Sequence, residues 1–133
     1  IAGARILGAS SRETEIHGTS ATTALSYNME VWNSTGSAFA VPPAGLYRVT
    51  YYFKVTANGT GTSLRIDTAW NDGTSTITDQ SATVAPTSGN VIRGTVEVEC
   101  DGTHYPTVSV VYNGISVSPT YDLRVAFQRL SNI

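Results

Sequence analysis

The sequence from Gly36 to Val55 reads GSAFAVPPAGLYRVTYYFKV and contains a long, regular alternation of side-chain type. Beyond the Pro42–Gly45 bend, apolar and polar side chains follow one another with the period of two that is typical of a β-strand. One face of this strand carries large apolar side chains, those of Tyr47, Val49, Tyr51, Phe53 and Val55. The opposite face carries Leu46, Arg48, Thr50, Tyr52 and Lys54. The pattern predicts a long central strand whose first face is buried in a core.

Similar alternation recurs at intervals of about ten residues, with turn sequences between the strands. Val91–Cys100 is a further alternating segment, and Asn71-Asp72-Gly73 and Asn113-Gly114 are typical turn sequences. We therefore predict an all-β fold of roughly eight to ten short strands, an antiparallel two-sheet jelly-roll sandwich. No linker or shift in composition divides the chain, so one domain is expected over residues 1–133.

Two parts of the chain deviate from this spacing. Before the central strand, Arg5–Leu7 and Glu15–Thr19 are predicted only as short strands. After it, the polar segment Thr74–Asn90 has strand character only around Ile77 and Val84. We predict that this segment is a long, mobile loop.

The composition argues against two classes of partner. Charged residues make up 14% of the chain, the formal net charge is −2, and Lys54 is the one lysine. Because no basic stripe is available to neutralise phosphates, we expect no nucleic-acid binding. No apolar run approaches the roughly 20 residues needed to span a bilayer, so we expect no membrane insertion.

Candidates for metal or cofactor binding are few. His17 and His104 have no metal-ligand spacing between them, and Cys100 alternates with apolar residues as a buried, inert thiol would. Three carboxylates near predicted loops complete no calcium-binding pattern, namely Asp67, Asp72 and Asp79. We expect no metal and no cofactor.

A pair of glutamates is the strongest candidate for catalysis. Glu97 and Glu99 share one face of a predicted strand, where a spacing of two separates their carboxylates by about 7 Å. Such a pair could suit glycoside hydrolysis. Arg93 lies on the same face, however, and a solvated charged face is the simpler interpretation. We therefore expect that the protein is not an enzyme.

The opening stretch resembles the central signature of the globular heads of complement q-subcomponent and tumour-necrosis-factor-like proteins. In that signature an aromatic residue is followed, after six intervening residues, by a Phe. After five further residues comes the pattern Gly-x-Tyr-x-Phe-x-aromatic. The matching positions here are Trp32, Phe39, Gly45, Tyr47 and Tyr51. Val49 stands where the family has Phe, and Ala21 and Tyr27 depart from its upstream positions.

The resemblance implies both a fold and an assembly. Heads of this family are ten-stranded jelly rolls that form compact homotrimers, so a homotrimeric jelly-roll head is expected. Apolar side chains on the second face of a strand are compatible with burial between subunits. On that basis Leu46, Tyr52 and Val111 are predicted trimer contacts. The family's calcium ligands have no recognisable counterparts in this sequence.

The Thr-rich lead-in, the Val-Pro-x-Ala-Gly-x-Tyr bend and the near absence of lysine make the sequence similar to versions of this head in bacteriophage structural proteins. That likeness implies a head at the tip of a tail fibre or receptor-binding protein, on the virion surface, where it contacts host-cell saccharide. Loops at one apex are expected to make this contact. Their predicted contact residues are Asn58, Thr60, Trp70, Asn71, Asp72 and Tyr105.

Two alternatives remain open. A trimeric decoration protein, which binds capsid protein and stabilises the phage head, would suit a free-standing chain of this length. The start at Ile1 in place of Met suggests instead a processed protein or the C-terminal piece of a longer fibre. An extracellular trimeric ligand or lectin domain would give meaning to the glycosylation sequons at Asn33 and Asn58.

Overall fold

The structure, a computed structural model, describes residues 13–33 and 38–132, which form ten β-strands. Their bounds are β1 Glu13–Ala21, β2 Ser26–Asn28, β3 Val31–Asn33, β4 Ala38–Ala40, β5 Gly45–Ala57, β6 Thr60–Asn71, β7 Thr76–Gln80, β8 Val91–Cys100, β9 Thr107–Val117 and β10 Thr120–Asn132. The predicted strand Arg5–Leu7 and the residue Ile1 lie outside the described residues. Within these two ranges, no helix has the length and apolar character required to cross a membrane.

Eight of these strands form two four-stranded antiparallel sheets, which confirms the predicted two-sheet sandwich. One sheet has the strand order β1-β10-β5-β8, and the other has the order β2-β9-β6-β7. The short strands β3 and β4 pair with each other, and their register sets Trp32 opposite Phe39. The two aromatic positions of the family signature are therefore neighbours across a two-stranded ladder.

The pairing within the large sheets is nested. The first of their eight strands pairs with the last, β1 with β10, so that Glu13 lies opposite Gln128. The second pairs with the second from last, β2 with β9. The inner strands continue this scheme, because β5 pairs with β8 and β6 pairs with β7. The chain is thus arranged as a long hairpin wound into two layers.

Strand β5 supplies the centre of the core, as its alternation predicts. All five residues of its apolar face are buried, and each residue between them is more exposed. Across the ladder from β10, Phe127 stacks on Tyr47 with ring centroids 4.8 Å apart, and Tyr121 packs on Phe53 at 4.9 Å. Burying each such ring is worth about 1.5–3 kcal/mol, and each aromatic pair adds about 0.5–1.5 kcal/mol.

The bend before β5 is fixed by the first aromatic of that strand. The Tyr47 hydroxyl donates a hydrogen bond of 2.8 Å to the carbonyl oxygen of Pro43, and Pro42 is buried. Burial raises the pKa of Tyr47 to about 12, so its hydroxyl remains a donor at neutral pH. Arg129 of β10 covers the ring, with its guanidinium carbon 5.6 Å from the ring centroid. The start of β5 is therefore held by polar as well as apolar contacts.

The segment Thr74–Asn90 contains more regular structure than a loop. Strand character is confirmed at both expected positions, since Ile77 lies in β7 and Val84 forms a bridge with Leu64 of β6. Hydrogen bonds between backbone groups then join Pro86 to Gly59 and Asn90 to Val55. The prediction of one long loop is wrong here, because the free edge of β6 offers unpaired backbone groups that this polar segment satisfies.

Gly94 provides a sensitive test of the packing between β5 and β8. It lies opposite Tyr51, and a Cβ at this position would be 2.7 Å from the Tyr51 hydroxyl oxygen. We expect Gly94→Ala to lower the free energy of unfolding by about 1–3 kcal/mol, because the buried Tyr51 ring has little room to move. Urea denaturation would measure the change, with the exposed neighbour Thr95→Ala as the control. Equal midpoints for Gly94→Ala and the parent would contradict this view of the packing.

Candidate functional site

The six predicted ligand-contact residues fall at two opposite ends of the sandwich. Asn58 and Thr60 lie at the β5–β6 connection, whereas Trp70, Asn71 and Asp72 lie at the far end of β6. A twelve-residue strand separates the two groups, which corresponds to roughly 35 Å. Tyr105 joins the second group because Thr107 of β9 pairs with Ala69 of β6. The structure therefore brings together four of the six residues.

Three connections converge at this second end, which we call the Asp101 end and define as residues 41–44, 71–75 and 101–106. A Cβ on Gly73 would lie 3.6 Å from the Cβ of Asp101. A Cβ on Gly102 would lie 3.2 Å from the backbone nitrogen of Ala44. Gly73 and Gly102 both have positive φ angles, of 97° and 88°, which other residues rarely adopt. Glycine thus permits the backbone angle of both turns, and at Gly102 it also permits the close approach of the β8–β9 connection to Ala44.

Asp101 organises the β8–β9 connection. Its Oδ1 accepts hydrogen bonds from the backbone N–H groups of Thr103 and His104, at 2.9 and 3.0 Å. Its Oδ2 accepts the Thr103 hydroxyl at 3.0 Å and lies 2.5 Å from His104 Nδ1. The backbone bond from Thr103, together with the bonds from His104, holds the pKa of Asp101 well below its ordinary value.

Asp72 organises the β6–β7 turn in a similar way. Its Oδ1 accepts hydrogen bonds from the backbone N–H groups of Thr74 and Ser75, at 2.9 and 3.0 Å. The bonds from Ser75 and Thr74 lower the pKa of Asp72. The side chain of Asn71 accepts a bond of 2.8 Å from the N–H of Gly73. Asn71 and Asp72 therefore use their side-chain acceptors to shape the turn.

The two aromatic residues at the Asp101 end differ in exposure. Trp70 continues the inward face of β6 and packs against the core, so only part of its ring is available. Tyr105 is 36% exposed and directly follows the Asp101 motif, by which we mean Asp101, Thr103 and His104 with the hydrogen bonds that join them. Of the predicted residues at this end, Tyr105 presents the larger open aromatic surface.

The opposite end has a structural use for its polar side chains. Asn58 Oδ1 accepts a hydrogen bond of 2.7 Å from the N–H of Ser88. The carbonyl oxygen of Thr60 accepts a weaker bond of 3.3 Å from the Ser116 hydroxyl. These contacts tie the segment before β8 and the β9–β10 hairpin to the β5–β6 connection.

The predicted trimer contacts lie on two different surfaces. Leu46 and Tyr52 both point outward from the β1-β10-β5-β8 sheet, on a surface we call the Tyr52 face. Val111 points outward from the other sheet, because its neighbour Val110 is buried in the core. The sandwich lies between them, so one flat contact cannot include all three residues.

The described side chains considered above for catalysis or metal binding are either paired with another residue, buried, or too far apart to form a site. Glu97 and Glu99 are exposed on the Tyr52 face, and Arg48 forms an ion pair with Glu97 at 3.4 Å. Cys100 is buried, and burial raises the pKa of its thiol to about 12, which agrees with an inert thiol. In the described part of the chain, no three His, Cys, Asp or Glu side chains converge as metal ligands would.

Sequence reasoning missed the cluster of Asp101, Thr103 and His104. No role is predicted above for Asp101 or Thr103, and His104 is noted there only for its lack of metal-ligand spacing. The signal was present in Asp101-Gly102-Thr103-His104, since an Asp before a Gly commonly accepts hydrogen bonds from the following turn. Its position beside Asp72 depends on strand order and could not be read from local sequence.

The nested pairing and one structural comparison together decide the fold. The chain is similar to PRD1 vertex protein P5 over 93% of its own length and 99% of that protein, with a TM-score of 0.53 and 13% sequence identity. The domain is a jelly roll. The fold implied by the head signature is therefore confirmed, and at this identity the likeness concerns the fold alone.

Weaker likenesses accompany this comparison. Eiger TNF from S. frugiperda matches with a TM-score of 0.46 and 12% identity, over 91% of this jelly roll and 94% of that chain. The CBM22-1 xylan-binding domain of Paenibacillus barcinonensis Xyn10C matches with a TM-score of 0.45 and 14% identity, over 95% of this chain and 99% of that domain. No protein-family model and no curated protein matches the sequence.

The Asp101 motif predicts part of the acid sensitivity of the jelly roll. Because the pKa of Asp101 is lower in the folded than in the unfolded chain, its charge stabilises the fold above the unfolded pKa of about 3.9. That contribution is lost as the pH falls through the lower, folded value. Asp101→Asn should therefore show a smaller loss of stability than the parent between pH 6 and pH 3.

Thermal unfolding at a series of pH values measures this difference. Glu99→Gln is the matched control, because this exposed carboxylate makes no hydrogen bond to the side chains that the structure describes. A melting temperature that falls as steeply with acid in Asp101→Asn as in the parent would contradict the stabilising role of the motif.

Proposed function

We propose that this jelly roll is a non-enzymatic head domain of a phage virion, which forms a homotrimer and contacts saccharide on the host surface. The observation that carries the proposal is the fold shared end to end with PRD1 vertex protein P5. A domain of this kind, here residues 1–133, would be exposed on the virion as the tip of a fibre or receptor-binding protein. It needs neither a cofactor nor a nucleic-acid partner for that role.

The trimer proposal rests on the Tyr52 face. Tyr52 is 46% exposed, Leu46 is half-buried, and both lie on the outward side of the central strand β5. An exposed tyrosine and a leucine on one sheet face are suited to a contact between subunits. They lie six residues apart, about 20 Å along the strand. Val111 would instead contribute only to a contact through the opposite sheet.

The saccharide proposal rests on the Asp101 end. Its turns are rigidly held by Asp72 and Asp101, and Tyr105 presents an open aromatic surface beside them. Aromatic rings combined with polar turns are typical of shallow saccharide sites. Weak binding by each subunit would be strengthened by three copies in one assembly. Asn58 and Thr60, at the other end, would belong to a separate contact.

A trimeric capsid decoration protein is the second candidate. It is favoured by the same comparison, because the name of the similar protein is that of a vertex component. In this role the partner is capsid protein, and no saccharide is bound. An extracellular trimeric ligand or lectin domain is a third possibility. The Asn58 sequon is compatible with that role, because Asn58 is exposed and the N–H of Ser88 engages its amide oxygen rather than the nitrogen that would carry a glycan.

The mass in solution tests the trimer and its contact face together. We expect a particle of about three times the 14.1 kDa chain mass, measured by light scattering after size exclusion. Leu46→Asp should shift the mass to that of the monomer, because a charge would be buried in the contact. Val111→Asp is the matched control on the other sheet. A monomeric parent would refute the trimer. If Val111→Asp dissociated the trimer and Leu46→Asp did not, the contact would have to lie on the opposite sheet.

Binding to a glycan array tests the saccharide function. We expect the parent to bind a subset of glycans and Tyr105→Ala to lose at least about tenfold in affinity, as the loss of one stacked ring commonly causes. Thr78→Ala, an exposed substitution on β7, is the control. Binding to purified capsids with no bound glycan would favour the decoration protein instead.

A further inference from the structure

A small cavity of about 220 Å³ opens on the Tyr52 face, over strand β10. Its walls come from three neighbouring strands: Gly18 and Thr19 of β1, Tyr52 and Lys54 of β5, and Asp122, Leu123 and Arg124 of β10. It lies far from the Asp101 end, on the side of Tyr52 that faces β1. None of the predicted ligand-contact loops contributes to it.

An irregularity in β1 forms one wall of this cavity. Gly18 pairs with Leu123 and Ala21 pairs with Tyr121, so that Thr19 and Ser20 together oppose the single residue Asp122. Ser20 has a positive φ of 52°, which is uncommon for a residue other than glycine. Such bulges kink a strand and often lie beside binding sites. Here the bulge interrupts the β1–β10 ladder at the edge of the cavity.

The single carboxylate of the cavity is already engaged. Asp122 Oδ1 accepts a hydrogen bond of 2.8 Å from the backbone N–H of Ser20. This bond stabilises the unusual backbone of the bulge, because it satisfies a donor that the interrupted ladder leaves unpaired. Asp122 therefore acts as a support for the wall, and its charge is directed toward β1.

Two cations of the cavity are not engaged in this way. Neither Lys54 nor Arg124 has a hydrogen bond or ion pair with any side chain that the structure describes. Both are exposed, and they flank the ring of Tyr52, because Arg124 is the direct partner of Tyr52 in the ladder. Arg93 lies opposite Tyr52 on the other side, in β8, and does not line the cavity.

We propose that this cavity binds a sugar residue that carries a carboxylate. The Tyr52 ring would stack on the sugar, while Lys54 and Arg124 form charge-assisted hydrogen bonds with the acid group. The volume is below the roughly 300–1,000 Å³ typical for drug-sized ligands, which limits the occupant to about one sugar unit. The inference rests on the proposed recognition of saccharide, and it names the acidic class of glycan and a second position for it.

The site is compatible with the proposed trimer. Strand β5 separates the cavity, over β1 and β10, from the surface of β8. A subunit contact that includes Leu46 and the β8 side of Tyr52 would leave the cavity open. In that arrangement Tyr52 serves both surfaces, with one side of its ring toward the neighbouring subunit and the other toward the sugar.

Titration with glucuronic acid, followed by amide chemical shifts in an NMR spectrum, tests the proposal. We expect the shifts to concentrate at Gly18, Thr19 and Arg124, and glucose at the same concentration to cause none. Lys54→Gln and Arg124→Gln should each weaken glucuronic acid binding at least about tenfold, in accord with the loss of a charge-assisted bond. Arg93→Gln, the matched control outside the cavity, should change the affinity less than about twofold.

The outcomes separate this inference from the proposed function. Equal weakening by Arg93→Gln would mean diffuse attraction to the face and would overturn the site. Glycan binding that Tyr105→Ala abolishes and Arg124→Gln leaves intact would also overturn it, while the proposed function survives. Binding of glucuronic acid in the cavity by a monomeric protein would support the site and refute the trimer. A chain that binds no saccharide refutes both.

Discussion

The antiparallel pairing of β5 with β10 is the contact on which the rest of the jelly roll depends. These two strands occupy the centre of one sheet, and two ring pairs join them in the core, Tyr47 stacked on Phe127 and Tyr121 tilted against Phe53. The inward rings fix the register of β5, because a slip by one residue would exchange them for charged side chains. The same register presents Tyr52 and its cationic neighbours outward. The packing of the core and the outward position of the cavity residues on β5 therefore follow from the same alternation of side chains.

The alternation in β5 and β8, the core and the fold class could be predicted from sequence because each depends on neighbours along the chain. Strand character near Ile77 and Val84 was also visible locally. The separation of Asn58 from Asp72 was not, since the end of the sandwich at which a turn lies depends on the order of strands. The bulge at Ser20 was equally hidden, because it is stabilised by a hydrogen bond that Ser20 donates to Asp122, 102 positions away.

The two candidate surfaces differ in how they are built. At the Asp101 end, carboxylates are used up in holding turns, so the available contacts are an aromatic ring and backbone groups. On the Tyr52 face, a carboxylate supports the backbone while two cations remain open toward solvent. A neutral glycan suits the first surface and an acidic one the second. Together, the two surfaces would allow one subunit to contact more than one sugar unit.

The nested pairing also has a consequence for how the protein acquires its structure. Because β1 and β2 pair with β10 and β9, most contacts join residues far apart in sequence, and such folds form slowly. During synthesis, the central strand β5 has no partner on one side until β10 has left the ribosome. Its row of large apolar side chains is exposed in that interval, when chains are prone to aggregate. Correct folding thus depends on timing as well as on packing.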